Sequence, residues 1–274
     1  VRCIGAYDDA AVPSFADLAA VSAPSRRAAL KSMQKEVGAA CVKYEAVCPD
    51  VHQLGAIATT ASERTALIEA YDKRSAAIKR LLAKMIDTLP AADLDLCPYC
   101  SLDTNPDLDH FLPKARFPEF SLHSRNLVPI CTPCNRKKAN AVKSKTTGQR
   151  LFLHPSVEPS NNAPVLEASL SFKKQGVSVS YYIDDGSGLP QEEGELVRRH
   201  FSRLGLNARY SRRAQSYLAS FKASIAGKPN VVVARTLKQK ISTSSFGEPA
   251  NGWRPALFRA IVPNEAATLA WLQS

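Results

Sequence analysis

Two short thiol pairs, Cys97-Pro-Tyr-Cys100 and Cys131-Thr-Pro-Cys134, carry the most specific chemistry in this 274-residue chain. A C-x-x-C turn presents two sulfurs to one ion, and two such turns supply four soft ligands, the tetrahedral set that suits Zn²⁺. With all four positions filled by protein the site is structural, because no place is left for a substrate. The alternatives are a redox C-x-x-C, which belongs in a thioredoxin-like βαβ context absent here, and two coincidental turns. Between the pairs stand Asp109 beside His110, and then Asn126; Asn135 follows the last cysteine directly. A neutral imidazole, with an ordinary pKa near 6.5, can take a proton from water at cellular pH. Carboxylate and amide oxygens suit a hard divalent cation that keeps several waters of its own.

The segments C-P-Y-C, D-H-F-L-P-K, N-L-V-P-I-C-T-P-C-N-R-K-K and L-F-L-H-P occur in this order over about residues 95–155. Together they resemble the HNH or ββα-metal endonucleases, in the variant whose last histidine is replaced by asparagine. The resemblance implies a short hairpin and helix folded around zinc, with His110 as the general base of phosphodiester hydrolysis. It implies Asp109 and Asn135 as protein ligands of a catalytic Mg²⁺ or Mn²⁺. Asn126 would sit on the second strand and hydrogen-bond to the His110 ring, fixing its tautomer. Some members of the family carry a further metal histidine one helical turn beyond the last motif position, where this chain has Ala139. His123 and His154 receive no role, since a packing histidine is commoner than a ligand.

Arg136, Lys137 and Lys138 follow Asn135, and with Lys143, Lys145 and Arg150 they form a basic run without an acid. A phosphate backbone could lie along it; the alternative is a solvated helix face. Lys114 and Arg116, nearer the candidate base, are further candidates for nucleic-acid contact. The form D-H-F-L-P-K-x-x-F-P-E-F and the block His200-Phe201-Ser202-Arg203-Leu204-Gly205-Leu206-Asn207-Ala208-Arg209-Tyr210 resemble the PtuB-type nucleases of bacterial Septu and retron anti-phage defence systems. That resemblance implies a partner ATPase of the ABC or SMC-like type. The arginines from Arg198 to Arg213 could grip nucleic acid or an acidic partner, or be solvated.

These residues need elements to hold them. Thr60 and Glu63 stand at capping-box spacing ahead of an apolar period through Ile86, which predicts one helix over residues 60–88, ended by Pro90. An earlier helix is expected over Ser25–Val47, before Cys48-Pro49. The prediction is an α+β chain in three parts: a helical N-terminal arm over 1–90, a zinc-stapled ββα-metal core over 91–155, and a mostly helical region with a short β-hairpin over 156–274. In the last part V-S-V-S-Y-Y-I at 177–183 alternates as a strand. Helices are expected over Gly194–Leu204 and Asn207–Ile225 around Gly205, then over 229–245 and near 263–273.

With 45% hydrophobic residues the chain can bury real cores, and 36 basic against 25 acidic residues give a net charge of +11, which draws polyanions. Seven cysteines, an odd number mostly in two metal-type pairs, do not suggest a secreted disulfide framework. The absence of a long apolar run and of a signal-peptide pattern in the first residues predicts a cytoplasmic protein with no membrane contact. The expected function is therefore metal-dependent cleavage of nucleic acid, DNA before structured RNA, within a defence complex. The alternatives are a standalone restriction or homing nuclease, or a zinc-stapled nucleic-acid-binding module without catalysis.

Overall fold

The computed structural model describes residues 7–8, 12–89, 95–104, 107–155, 164–173, 176–186, 188–244 and 249–274. Cys3, Pro90 and most of the linker after His154-Pro155 lie outside them. The chain is α+β, with two small antiparallel sheets, and it divides into two compact units. One comprises residues 3–99 and 103–159; the other comprises 160–274 together with the short stretch 100–102.

In the first unit, α1 (Phe15–Ala20) opens on a Ser14/Asp17 capping box. It is followed by α2 (Pro24–Ser32), α3 (Gln34–Val47), α4 (Ala61–Asp72) and α5 (Ala76–Ile86). The Thr60/Glu63 capping box is formed as the spacing predicts. The single helix expected over 60–88 is two, because the Ser75 hydroxyl accepts from Ile78 N–H and starts a new helix after the chain turns at Lys73. The helix expected over Ser25–Val47 likewise breaks at Met33.

Strands β1 (Asp107–His110) and β2 (Leu127–Ile130) pair antiparallel, with His110 opposite Leu127 and Asp109 opposite Val128, and α6 (Thr132–Lys138) follows directly. A boundary near residue 90 was expected between separate arm and core domains. Instead the helices and the hairpin share one core: Leu122 and Leu127 are buried in the same apolar cluster as Leu18, Val37, Leu67 and Leu82. The Tyr7 hydroxyl also donates to the Leu127 carbonyl at 2.8 Å. A two-stranded hairpin is too small to bury its own apolar face, so it borrows the face of the arm.

The second unit holds a long hairpin, β3 (Leu166–Lys173) and β4 (Gly176–Ile183), packed on helices α7 (Gln191–Arg203) and α8 (Leu206–Ile225) through β4 and on α10 (Trp253–Ile261) through β3. Helices α9 (Asn230–Thr243) and α11 (Glu265–Gln273) complete it. Gly205 sits at φ 60°, the left-handed conformation that separates α7 from α8 without a Cβ clash. Helices α1 and α10 and strand β3 are elements that the sequence reading does not place. No helix among the described residues is long and apolar enough to cross a membrane.

Candidate metal and nuclease site

Cys97, Cys100, Cys131 and Cys134 are all buried, and their Sγ atoms lie within 4.8 Å of one another. Thiolates about 2.3 Å from a tetrahedral zinc stand roughly 3.8 Å apart, so the four sulfurs fit that ion. No disulfide joins the described cysteines. The arrangement follows from the local fold: β2 ends at Ile130, Cys131 caps α6, and Cys134 lies within its first turn. Around Cys100, helix α8 supplies two contacts. Arg209 Nη2 lies 3.4 Å from Cys100 Sγ, and the buried Tyr210 hydroxyl donates to the Cys100 carbonyl at 2.8 Å. A guanidinium beside a metal thiolate offsets its charge.

The arginines from 198 to 213 consequently do not share one task. Arg209 faces the knuckle, Arg198 pairs with Asp185 at 2.6 Å and Arg199 with Glu195 at 3.4 Å, while Arg203, Arg212 and Arg213 are exposed.

His110 ends β1 and is only 5% exposed. Its Nε2 lies 2.9 Å from the Ser121 carbonyl oxygen. A carbonyl can only accept, so Nε2 carries the hydrogen and Nδ1 keeps the lone pair a base needs. The ring meets Tyr71 edge-on, with centroids 4.3 Å apart. Burial pushes the imidazole down to about 3, helped by the Lys114 and Lys138 ammonium groups, against the opposing effect of the Ser121 hydrogen bond.

Asn126 is placed differently from the expectation. It closes a 3-10 turn just before β2 rather than lying on the strand, and its amide does not bond to the His110 ring. Its Oδ1 accepts from Leu112 N–H at 2.7 Å, and its Nδ2 donates to the Leu112 and Phe120 carbonyls at 3.0 Å each. Asn126 therefore pins the loop after His110, and the next carbonyl along, Ser121, holds the ring. A primary amide suits this because it pairs backbone donors and acceptors at once. Asn126→Ala should destabilise the protein by about 3–5 kcal/mol, since it strands three fully buried backbone groups. Urea unfolding that shows a loss under about 1 kcal/mol would remove this role.

Asp107, two residues before Asp109 and on the same face of β1, accepts from Asn135 Nδ2 at 3.2 Å. With its nitrogen directed at a carboxylate, the amide of Asn135 has its oxygen left for another partner. Asp109 forms an ion pair with Lys138 at 2.8 Å, and Lys138 also donates to the His110 carbonyl at 2.7 Å. Lys138 is only 1% exposed, so the expectation that it contacts nucleic acid is corrected: its ammonium is held between Asp109 and the strand. Asp109, Asn135 and Asp107 are oxygen donors of the kind a hard divalent cation takes. Among the described residues no second cluster of three His, Cys, Asp or Glu donors forms beside the four cysteines.

Arg136 and Lys137 are exposed on α6, as are Lys143 and Lys145 beyond it. Arg150 is largely buried, its Nε 3.6 Å from Asp50. Arg116 is exposed beside Phe117, and Lys114 pairs with Asp72. Position 139 lies past the end of α6, with φ 46°, and so no longer continues the helix face that carries Asn135.

His154 is fully buried, 3.2 Å from the Tyr44 hydroxyl and packed on Phe111, and His123 pairs with Glu45 at 3.2 Å. Burial pushes His154 down to about 3. As pH falls below the ordinary histidine value of about 6.5, the unfolded chain takes up a proton that the folded one refuses until about pH 3. Stability is therefore present above that window and lost as pH falls through it, and His110 acts in the same direction. Urea midpoints measured between pH 7 and 5 should fall for the wild type and fall less for His154→Gln; equal slopes would contradict this.

Asp107, Ser121 and Tyr71 are absent from the candidates named by sequence, and Lys138 is named there only for nucleic-acid contact. The D-x-D alternation in Asp107-Leu108-Asp109 is the signal that could have found Asp107; a backbone carbonyl and a tyrosine from a remote helix left no local signal. No protein-family model and no solved structure matches this chain. It is 26% identical over 187 residues to protein ea31 of Escherichia phage lambda, an alignment covering 64% of this chain and 58% of that protein. The chain thus spans less than two thirds of that relative's length.

Proposed function

We propose that this chain is a metal-dependent endonuclease of the HNH type that hydrolyses phosphodiester bonds in nucleic acid, DNA first and structured RNA second. The observation that carries the reading is the run β1, β2, α6, closed by four cysteines, with Asp109 and His110 ending the first strand and Asn135 on the helix after the last cysteine. His110 Nδ1, held unprotonated by the Ser121 carbonyl, would take the proton of the attacking water. The basicity of a ring held so low rises when an anionic phosphate arrives beside it. Asp109 and Asn135 would hold Mg²⁺ or Mn²⁺, with Asp107 directing the amide; such an ion stabilises charge on the leaving oxygen. Lys138 would release Asp109 to the ion while still holding the His110 strand. Arg136 and Lys137 would contact the phosphate backbone.

Purified protein should nick or linearise plasmid with Mg²⁺ or Mn²⁺ and not with EDTA. No cleavage of plasmid, single-stranded DNA or total RNA under any of these ions would end the proposal. A zinc-stapled binding module without catalysis is the second reading, favoured by the small exposure of His110, and it predicts retention of labelled nucleic acid in that assay without cleavage. The Septu-like and retron-like features of the sequence extend the proposal to a defence complex in bacterial cytoplasm, in which an ABC or SMC-like ATPase controls the nuclease. Co-purification with the product of an adjacent ATPase gene tests that extension.

A further inference from the structure

Arg74 stands in the turn between α4 and α5, far in sequence from the hairpin and α6. Its guanidinium carbon lies 3.9 Å from the centre of the Tyr71 ring, the same ring that meets His110 edge-on at 4.3 Å. Lys114 Nζ lies 4.9 Å from that centre. Three groups with no negative charge thus gather round one tyrosine: a guanidinium, an ammonium and a neutral imidazole. Asp72 takes the ammonium, the Tyr71 hydroxyl donates to the Leu108 carbonyl and is also hydrogen-bonded to the Arg74 side chain, and the Asp72 and Asp109 carboxylates lie close enough to act on the same tyrosine. Arg74 Nη1 is left buried without a hydrogen-bond partner. A buried guanidinium donor lacking an acceptor is rare in folded proteins and marks a place where an acceptor belongs. An oxyanion with adjacent oxygens matches the guanidinium fork better than a water does.

We propose that Arg74, with Lys114 on the same tyrosine, seats the scissile phosphodiester beside His110, so that the helical arm supplies part of the substrate site. This rests on the nuclease reading for its substrate, but the anion site can be tested apart from it. The arrangement also explains why hairpin and arm share one core: a phosphate seat built from α4 and the loop after β1 keeps its geometry only if the two cannot slide.

The test uses the full chain with zinc retained. Calorimetric titration with inorganic phosphate, without added divalent ion, reads the anion site; hydrolysis of bis(4-nitrophenyl) phosphate with Mn²⁺ reads the reaction. Arg74→Ala should weaken phosphate binding and lower kcat/KM by about 10- to 100-fold, the usual cost of hydrogen bonds to a charged group. Arg74→Lys should restore only part of this, because an ammonium lacks the planar fork. If Arg74→Ala fails to fold, Arg74→Lys and Arg74→Gln carry the same comparison. Phosphate binding and kcat/KM both within about twofold of wild type in the folded variants would overturn the proposal. If the wild type binds phosphate through Arg74 yet cleaves neither the diester nor plasmid, the anion site stands and the nuclease reading falls.

Discussion

His110→Ala is expected to lower plasmid cleavage by roughly 10²- to 10⁴-fold, the usual worth of a positioned general base, while zinc content and helical signal stay at wild-type values. The reasoning starts from the ring's surroundings. Nε2 is held at the Ser121 carbonyl, so only Nδ1 can accept a proton, and burial pushes the imidazole down to about 3, which keeps the free ring neutral near pH 7. Alanine removes the base and leaves the Ser121 carbonyl to water, without touching the four thiols or the ion pair of Asp109 with Lys138. His110→Gln offers a second comparison: its amide can donate to Ser121 but has no imidazole basicity, so it should fold like the wild type and cleave like alanine. Undiminished cleavage by either variant would remove His110 from the reaction. A parallel loss of zinc would show that it serves the fold instead.

The second large effect concerns the four cysteines. Cys134→Ser should drop bound zinc to well below one ion per chain and unfold the hairpin and α6, because a Cys₄ zinc contributes on the order of 10 kcal/mol to the fold that holds it. Among its described residues the segment from Cys97 to Lys138 has two four-residue strands, one short helix and two 3-10 turns, too little regular structure to hold itself. Helices α1–α5 keep an apolar cluster that includes Leu18, Leu30, Val37, Leu67, Ile78 and Leu82, so most of the helical signal should survive. Limited proteolysis should then cut within residues 97–155 of the variant and spare that segment in the wild type. Metal analysis showing full zinc occupancy in Cys134→Ser, or a protease-resistant segment without zinc, would contradict this account.

Chemistry that depends on residue type and spacing was legible in the chain itself. Two C-x-x-C pairs imply a four-sulfur cluster whatever surrounds them, because each turn is a local object. The Thr60/Glu63 box and the helix break at Gly205 were readable for the same reason, each being settled within a few residues. The break at Lys73 was missed because the apolar period runs through it, although Ser75 carried the capping signal. Helix α10 was missed because the elements it packs on, β3 and α8, are distant in sequence, whereas β3 was missed although its partner β4 follows it directly.

What the sequence by itself determined is the set of donors: four thiols for zinc, an imidazole beside a carboxylate, two asparagines and a basic excess. Tertiary structure decided what each donor meets. It placed Lys138 on Asp109 rather than outward, gave Asn126 the loop rather than the ring, handed the ring to the Ser121 carbonyl and brought Tyr71, with Arg74 on its face, against that ring. The physical reason is the short range of these forces. A hydrogen bond or ion pair is set by a few ångströms of space, and residues far apart along the chain reach that distance only after the hairpin has been pressed onto the helical arm.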